Sequence, residues 1–232
     1  MGAVIIKMAT GIVTCFGTTN LYFLSYFHET GEQVNRTTNS ILLLAIVVPM
    51  SLFILAAPKL ADLLGHERMI KICAGVFLLS PFLLHYKFNL FILTIFCFLI
   101  PTAFFAISTI PTFYCIWTHF PQSRNKATSV AVVCFALGGI FWNYLFMVLV
   151  NPQNLSPTIV DEKVGMVFFD HKVTQNLEYA VFVGYFISGV MFVMGSLLIT
   201  VNKNYKEEKP EVMIELMERN KKQAETREPT FR

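Results

Sequence analysis

Charged residues are scarce in this sequence, making up only 14% of its 232 residues, against about a quarter in soluble domains. Hydrophobic residues make up 55%, and long runs contain no Asp, Glu, Lys or Arg. A run of about 18 such residues can cross the roughly 30 Å hydrocarbon core as a helix, whose backbone groups bond to one another where water is absent. The scarcity argues against a soluble domain and predicts an all-α integral membrane protein.

Several signatures of chemistry are also missing. None of the five cysteines belongs to a C-x-x-C pair, and all fall inside apolar runs, which is typical of small packing residues. The five histidines are scattered without the spacing of metal ligands. There is no G-x-S-x-G, phosphate-loop or kinase signature. We therefore expect no enzyme activity, no metal or other cofactor and no nucleic-acid partner.

Six apolar runs predict six transmembrane helices in contact with the lipid bilayer. They are Met8 to Phe27, Thr37 to Pro58, Ile72 to Tyr86, Phe88 past Trp117 to the basic turn at Arg124, Ala127 to the region of Asn151-Pro152, and Tyr179 to Asn202. The third run is short, but Lys71 and Lys87 at its ends can extend toward the headgroups. The predicted organisation is a bundle over residues 1–202 and a polar tail over 203–232, which is either solvated or a short docked helix that begins at Pro210.

The basic residues predict the orientation of the bundle. With six spans, the N-terminus, the loop from Lys59 to Lys71, the turn at Arg124 and the tail share one side, and that side carries most of the Lys and Arg. Basic residues accumulate on the cytoplasmic side of membrane proteins. We expect both termini in the cytoplasm, or in the matrix if the host is the mitochondrial inner membrane.

Polar and small residues mark particular faces of the spans. In the first span, Thr14, Thr18 and Tyr22 recur at every fourth position, which indicates either interhelical hydrogen bonds or a substrate path. Close helix packing is predicted by a second set of residues, which comprises Gly138, Gly139, Ala180, Gly184 and Ser188. The sequence predicts no ionised side chain at mid-depth, and this counts against a complete transport site.

The loop between the second and third spans carries an informative pattern. It reads P-K-L-A-D-L-L-G-H-E-R from Pro58 to Arg68 and resembles the G-x-L-A-D-R-x-G-R-R signature of the major facilitator superfamily. The matching residues are Leu60, Ala61, Asp62 and Gly65, with Arg68 one place late. The resemblance implies that Asp62 latches one conformation through a helix N-terminus and an ion pair. Pro58, Leu63 and His66-Glu67 depart from the signature.

A second loop, between the fourth and fifth spans, extends this resemblance. It reads W-T-H-F-P-Q-S-R-N-K-A from Trp117 to Ala127, and Phe120, Pro121 and Arg124 fall on the W-F-P-x-x-R-x-x-A-x-G segment of the oxalate/formate-antiporter and monocarboxylate-transporter-like branch. The Gly138-Gly139 pair resembles the glycine-rich fifth helix of that branch. The resemblance covers roughly Met8 to Val201 and implies the N-terminal six-helix half of such a transporter, whereas the family has about twelve helices with substrate between two halves.

Two hypotheses follow from this half-size resemblance. The first is a half-size secondary transporter for small organic anions, completed by a second six-helix half from the same or another chain, with the cavity residues Thr14, Thr18, Tyr22, Tyr114 and Asn143. The second is a non-transporting structural subunit of a larger membrane complex, such as a mitochondrial respiratory-chain assembly. The missing half, the altered Asp62 loop and the lack of buried charge favour the second hypothesis.

Overall fold

The computed structural model describes residues 1–84, 98–161 and 165–202, together with Tyr205. Residues Met1–Val201 form one compact unit and Asn202–Arg232 form a second. The predicted tail helix from Pro210 and the start of the predicted fourth span at Phe88 lie outside the described residues, as do Lys87 and the end of the third predicted span.

Helices account for most of the described chain, and the predicted all-α class is confirmed at this level. They are α1 (Gly2–Thr10), α2 (Phe16–Glu29), α3 (Arg36–Leu64), α4 (His66–Leu84), α5 (Ile100–His119), α6 (Arg124–Val150), the short α7 (His171–Thr174) and α8 (Leu177–Leu198). A 3₁₀ segment, Gly11–Cys15, joins α1 to α2, and another, Pro121–Ser123, precedes α6.

Local chemistry sets both ends of α3. The Asn35 side chain accepts a hydrogen bond from the Thr38 N–H, while the Thr38 hydroxyl accepts one from the Asn35 N–H, so the first turn has a capping box. At the other end Gly65 has φ of 84°. Side chains rarely tolerate that backbone conformation, so glycine is the natural residue to end the helix.

Five helical stretches of the described residues are long and apolar enough to cross a bilayer. They are Gly2–Glu29, Thr37–Leu64, Ile100–His119, Pro121–Val150 and His171–Leu198. The chain is therefore a multi-pass integral membrane protein. The third predicted span is not among the five: its residues up to Leu84 belong to α4, which packs against α5 and α8. A sixth crossing stays a prediction.

The connection after α6 contains structure that the sequence did not predict. Strands β1 (Ile159–Asp161) and β2 (Met166–Phe168) pair antiparallel, with Val160 opposite Val167. Helix α7 follows, and the Asp170 side chain caps it by accepting from the His171 N–H. The hairpin is a small exception to the otherwise helical architecture.

The first span lies inside the bundle, where α1 packs against α8 and α6 while α3 packs on α5. Its aromatic core includes Phe23, Phe27, Phe77, Trp142 and Phe192, all exposed by 2% or less. We call one end of the bundle the basic end, marked by Gly2, Gly65, His119 and Ile199, and the other the hairpin end, marked by Glu29, Val150 and residues 151–176. Which end faces which compartment stays a prediction.

Candidate functional site

A groove lies between α2 and α6 near the hairpin end. It has a volume of about 430 Å³ and is lined by Thr18, Thr19, Tyr22, Asn143, Tyr144 and Met147. Thr18 and Tyr144 are exposed on the outside of the bundle, and Tyr22 and Asn143 are half-buried. Three of the predicted cavity residues, Thr18, Tyr22 and Asn143, are thus brought together on two helices. We call this feature the α2–α6 groove.

The other two predicted cavity residues lie outside the lining of the groove. Thr14 lies in the 3₁₀ segment, is exposed, and occupies the space that a Cβ on Gly139 would need. Tyr114 lies near the basic end of α5, where its ring stacks on that of His66 with centroids 3.8 Å apart. Thr14 therefore continues the polar stripe of the groove along the first span, whereas Tyr114 lies elsewhere, on α5.

Hydrogen bonds within the chain hold the polar wall of the groove. The Thr18 hydroxyl bonds to the Asn143 side chain and also to the Cys15 carbonyl at 3.0 Å. The Asn143 amide nitrogen donates to the Gly139 carbonyl at 2.8 Å. The bond between Thr18 and Asn143 joins α2 to α6, and the other two orient these side chains from within their own spans. The groove therefore has a wall of hydroxyl, phenol and carboxamide groups.

The predicted packing residues lie where helices approach closely. A Cβ on Gly138 would lie 2.3 Å from the carbonyl oxygen of Met8, and one on Gly11 would lie 2.5 Å from the Gly139 nitrogen. The main chains of the first span and α6 therefore contact each other directly here. Part of this crossing lies in the 3₁₀ segment. Such a mid-helix segment often marks a hinge or a strained sequence.

The small residues of α8 line its contacts with the first span and α6. The Ser188 hydroxyl donates to the Ala9 carbonyl at 2.8 Å, and a Cβ on Gly184 would come within 3.0 Å of the Phe146 ring. Ala180 is fully buried. Small side chains let these helices approach one another and expose main-chain carbonyls to hydroxyl donors.

Lys7 is nearly fully buried inside the bundle, on the basic-end half of the first span, whereas the sequence placed it just outside that span. Its neighbours Met8 and Ala9 contact Gly138 and Ser188, and Lys7 itself bonds to Thr109. Gly2 lies against Gly195 and Ile199 at the basic end, so Lys7 lies about five residues, or roughly 8 Å of helix, inside that end. The first span starts at Gly2 rather than at Met8.

The ammonium of Lys7 is enclosed by one hydroxyl and two aromatic rings. Only 3% of the residue is exposed. Its Nζ donates to the Thr109 hydroxyl at 3.2 Å and lies 4.5 Å from the ring centroid of Phe113 and 5.4 Å from that of Phe105. Cation–π attraction offsets part of the cost of burying the charge. Apolar residues on both sides of Lys7 were the one local sign of this placement in the sequence.

The Asp62 loop differs from what the family resemblance implied. Asp62 and Arg68 are exposed, Leu60 is half-buried and Ala61 is buried. Asp62 has no hydrogen-bond or ion-pair partner within the part of the chain that the structure describes. A different acid reaches across instead: Glu67 Oε1 accepts from the main-chain N–H of Val201 at 2.6 Å. Glu67 lies in the first turn of α4, where the helix dipole favours a negative charge.

The second loop motif shapes the turn between α5 and α6. Phe120 and Pro121 are exposed, and Pro121 opens the 3₁₀ turn before α6, which begins at Arg124. The Trp117 indole N–H donates to the Thr128 hydroxyl at 2.8 Å, which ties the two helices together beside the turn. In this structure the residues of the second loop motif therefore shape the turn between α5 and α6.

The hairpin end attaches the connection of residues 151–176 to the end of α2. His28 contacts Asp161 at 3.1 Å and stacks on Phe168 with centroids 4.2 Å apart. Glu29 bonds to both His171 and Thr174 of α7. We call these contacts the α2 clasp. They hold both the strand pair and α7 over the end of the first span.

No known protein family, no curated protein and no solved structure matches this chain.

Proposed function

We propose that this chain is a half-size secondary transporter for small organic anions of the monocarboxylate or oxalate type, and that it works with a second six-helix half. The observation that carries the proposal is the α2–α6 groove. Its polar wall faces outward from the bundle, where a lone chain would expose it to lipid. Polar groups facing lipid are costly, so such a face belongs against another protein surface or a water-filled cavity.

The groove has the chemistry for a small polar solute once a second bundle covers it. Thr18 and Tyr22 supply hydroxyl groups and Asn143 supplies a carboxamide, all of which can share hydrogen bonds with a carboxylate. In secondary transporters of this architecture, substrate binds between two halves near mid-membrane, and the halves rock against each other. The choice of organic anions follows the loop motifs from Pro58 to Arg68 and from Trp117 to Ala127.

The burial of Lys7 within the bundle supports the same proposal. A charge inside a membrane bundle is expensive, and such residues usually serve ion or substrate pathways. The sequence predicted no such charge at mid-depth, whereas the structure buries Lys7 of α1 against Thr109 of α5.

Reconstitution tests the proposal directly. The full chain is purified in mild detergent, its oligomeric mass is measured, and proteoliposomes are assayed for uptake of labelled acetate, formate and oxalate. We expect a homo-oligomer or a stable pair with another chain, and uptake above that of empty liposomes. Asn143→Leu should reduce uptake, while Ser51→Ala on the exposed face of α3 should not. A folded, homogeneous preparation with no uptake of any of the three anions would contradict the proposal.

A structural role in a larger membrane complex is the second candidate, and two observations favour it. The hydroxyls of Thr14 and Thr18 already bond within the chain, to the Gly11 and Cys15 carbonyls, so packing alone accounts for part of the polar stripe. Asp62 also lacks the partners of a conformational latch among the described residues. Purification of the tagged chain from its own membranes separates the two candidates, because co-purification in fixed ratio with many other subunits supports the structural role.

A further inference from the structure

We propose that the Lys7 ammonium is a binding site for the carboxylate group of a small organic anion, with the Phe113 ring as its movable cover. The choice of a carboxylate as ligand rests on the proposed function. The site itself rests on the geometry around Lys7, which lies apart from the α2–α6 groove.

The Lys7 ammonium makes fewer hydrogen bonds than it has donors. An ammonium has three N–H donors, and Lys7 uses one of them on Thr109. Across residues 1–84, 98–161 and 165–202, no other oxygen or nitrogen accepts from its Nζ, and no carboxylate pairs with it. The remaining donors face aromatic rings. A buried charge is normally paired and fully hydrogen-bonded, so this one has an opening for an anion.

A second hydrogen bond orients the hydroxyl group of Thr109. Its hydroxyl donates to the Phe105 carbonyl at 2.8 Å, which leaves the oxygen lone pairs of Thr109 turned toward Lys7. Thr109 therefore steadies the ammonium as an acceptor without supplying negative charge. A carboxylate would add both a second acceptor and the missing charge, and charge-assisted hydrogen bonds of this kind are the stronger ones.

A ligand could reach Lys7 from the side of α5 that carries Phe113. Phe113 is half-buried, as are Ile110, Tyr114 and Trp117, and these four residues form one stripe along α5. The Phe113 ring, stacked on that of Trp117 with centroids 6.2 Å apart, covers Lys7 on this side. The Phe113 ring therefore lies between the ammonium and the partly exposed stripe of α5. Rotation of this ring is the opening that the proposal assigns to the site.

Thermal unfolding of the full chain in nanodiscs of zwitterionic lipid tests this site, with sodium acetate as the probe and sodium chloride at equal ionic strength as the comparison. For the unchanged chain we expect acetate to raise Tm saturably, by about 3 °C or more. Lys7→Gln should abolish the acetate-dependent rise. Lys59→Gln, which removes an exposed lysine near the basic end, should keep it. An equal rise in Lys7→Gln, or no rise in the unchanged chain, would overturn the proposal.

A second variant keeps the test decisive if Lys7→Gln does not fold. Phe113→Ala leaves the ammonium in place and removes its cover, so acetate should bind at least as tightly and associate faster. If Lys7 served packing alone, Phe113→Ala would lower Tm with no dependence on acetate, and the proposal would fail. Acetate binding without liposome uptake would overturn the transport function and leave this site standing, whereas uptake unchanged in Lys7→Gln would overturn the site alone.

Discussion

The indole N–H of Trp142 donates to the main-chain carbonyl oxygen of Met8 across 2.9 Å. This bond lies where the first span crosses α6, next to Gly138, and Trp142 itself is fully buried. One helix here presents its bare backbone to the other. The crossing depends on the absence of side-chain atoms at the glycines, which makes it a sensitive place to test the fold.

Gly138→Ala should destabilise the bundle. The added Cβ would lie 2.3 Å from the Met8 carbonyl oxygen and 2.8 Å from its Cα, and main-chain atoms cannot rotate away. We expect a loss of about 2 kcal/mol, within the range for overpacked cores, seen as a lower Tm in detergent. Gly17→Ala is the matched control, because nothing lies within 4 Å of its Cβ position and alanine is the better helix former. Equal effects of the two substitutions would contradict the crossing geometry.

Glu67, rather than Asp62, should be the acid that matters at the basic end. Glu67→Ala removes the acceptor for the Val201 N–H, and hydrogen bonds to charged groups contribute about 1.5–3 kcal/mol. Hydrogen exchange in a peptide that covers Ile199–Val201 should therefore quicken. Asp62→Asn should leave both exchange and Tm unchanged, because Asp62 is exposed and pairs with no described residue. A larger effect from Asp62→Asn would restore the latch that the family resemblance implied.

Hydrophobic length predicted most of the membrane helices, because burial in lipid demands long runs without charge and because the helix is the structure that satisfies its own backbone there. Gly65, which the sequence offered only as a match to the loop signature, ends α3 with a positive φ. The small side chains of Gly138, Gly184 and Ser188 predicted close helix contacts, because they leave room for the backbone of a neighbouring helix.

Lys7 shows where this reasoning fails. A lysine beside an apolar run is ordinarily an anchor at the headgroups, because its long side chain can reach water. Its burial depends on Thr109 and the rings of Phe105 and Phe113, which lie about a hundred residues away in sequence. Tyr114 illustrates the same limit. Helical spacing predicts how deep a residue lies in the bundle, but it does not predict which neighbouring helix the side chain faces. Non-local contacts decide both positions.

The α2 clasp should control the stability of the hairpin. His28→Ala removes the contact with Asp161 and the stack on Phe168, both of which hold β1 and β2 to the first span. For a partly exposed pair we expect about 1 kcal/mol, so hydrogen exchange across residues 159–168 should rise about fivefold. Lys172→Ala, which changes an exposed side chain on α7, is the control. Unchanged exchange in His28→Ala would show that the hairpin holds its place without the clasp.

The α2–α6 groove gives the sharpest test of the need for a second half. Thr18→Trp places a large ring on the exposed polar wall, where it should block a docking bundle without entering the core. Native mass spectrometry of the purified chain should then show loss of the oligomer or partner complex while the helical content stays unchanged. Leu55→Trp is the control, because Leu55 is 77% exposed on α3 and, as an apolar residue on an apolar face, is suited to lipid. If both variants associate like the unchanged chain, the groove faces lipid or a small ligand instead of a second bundle, and the half-transporter proposal loses its main support.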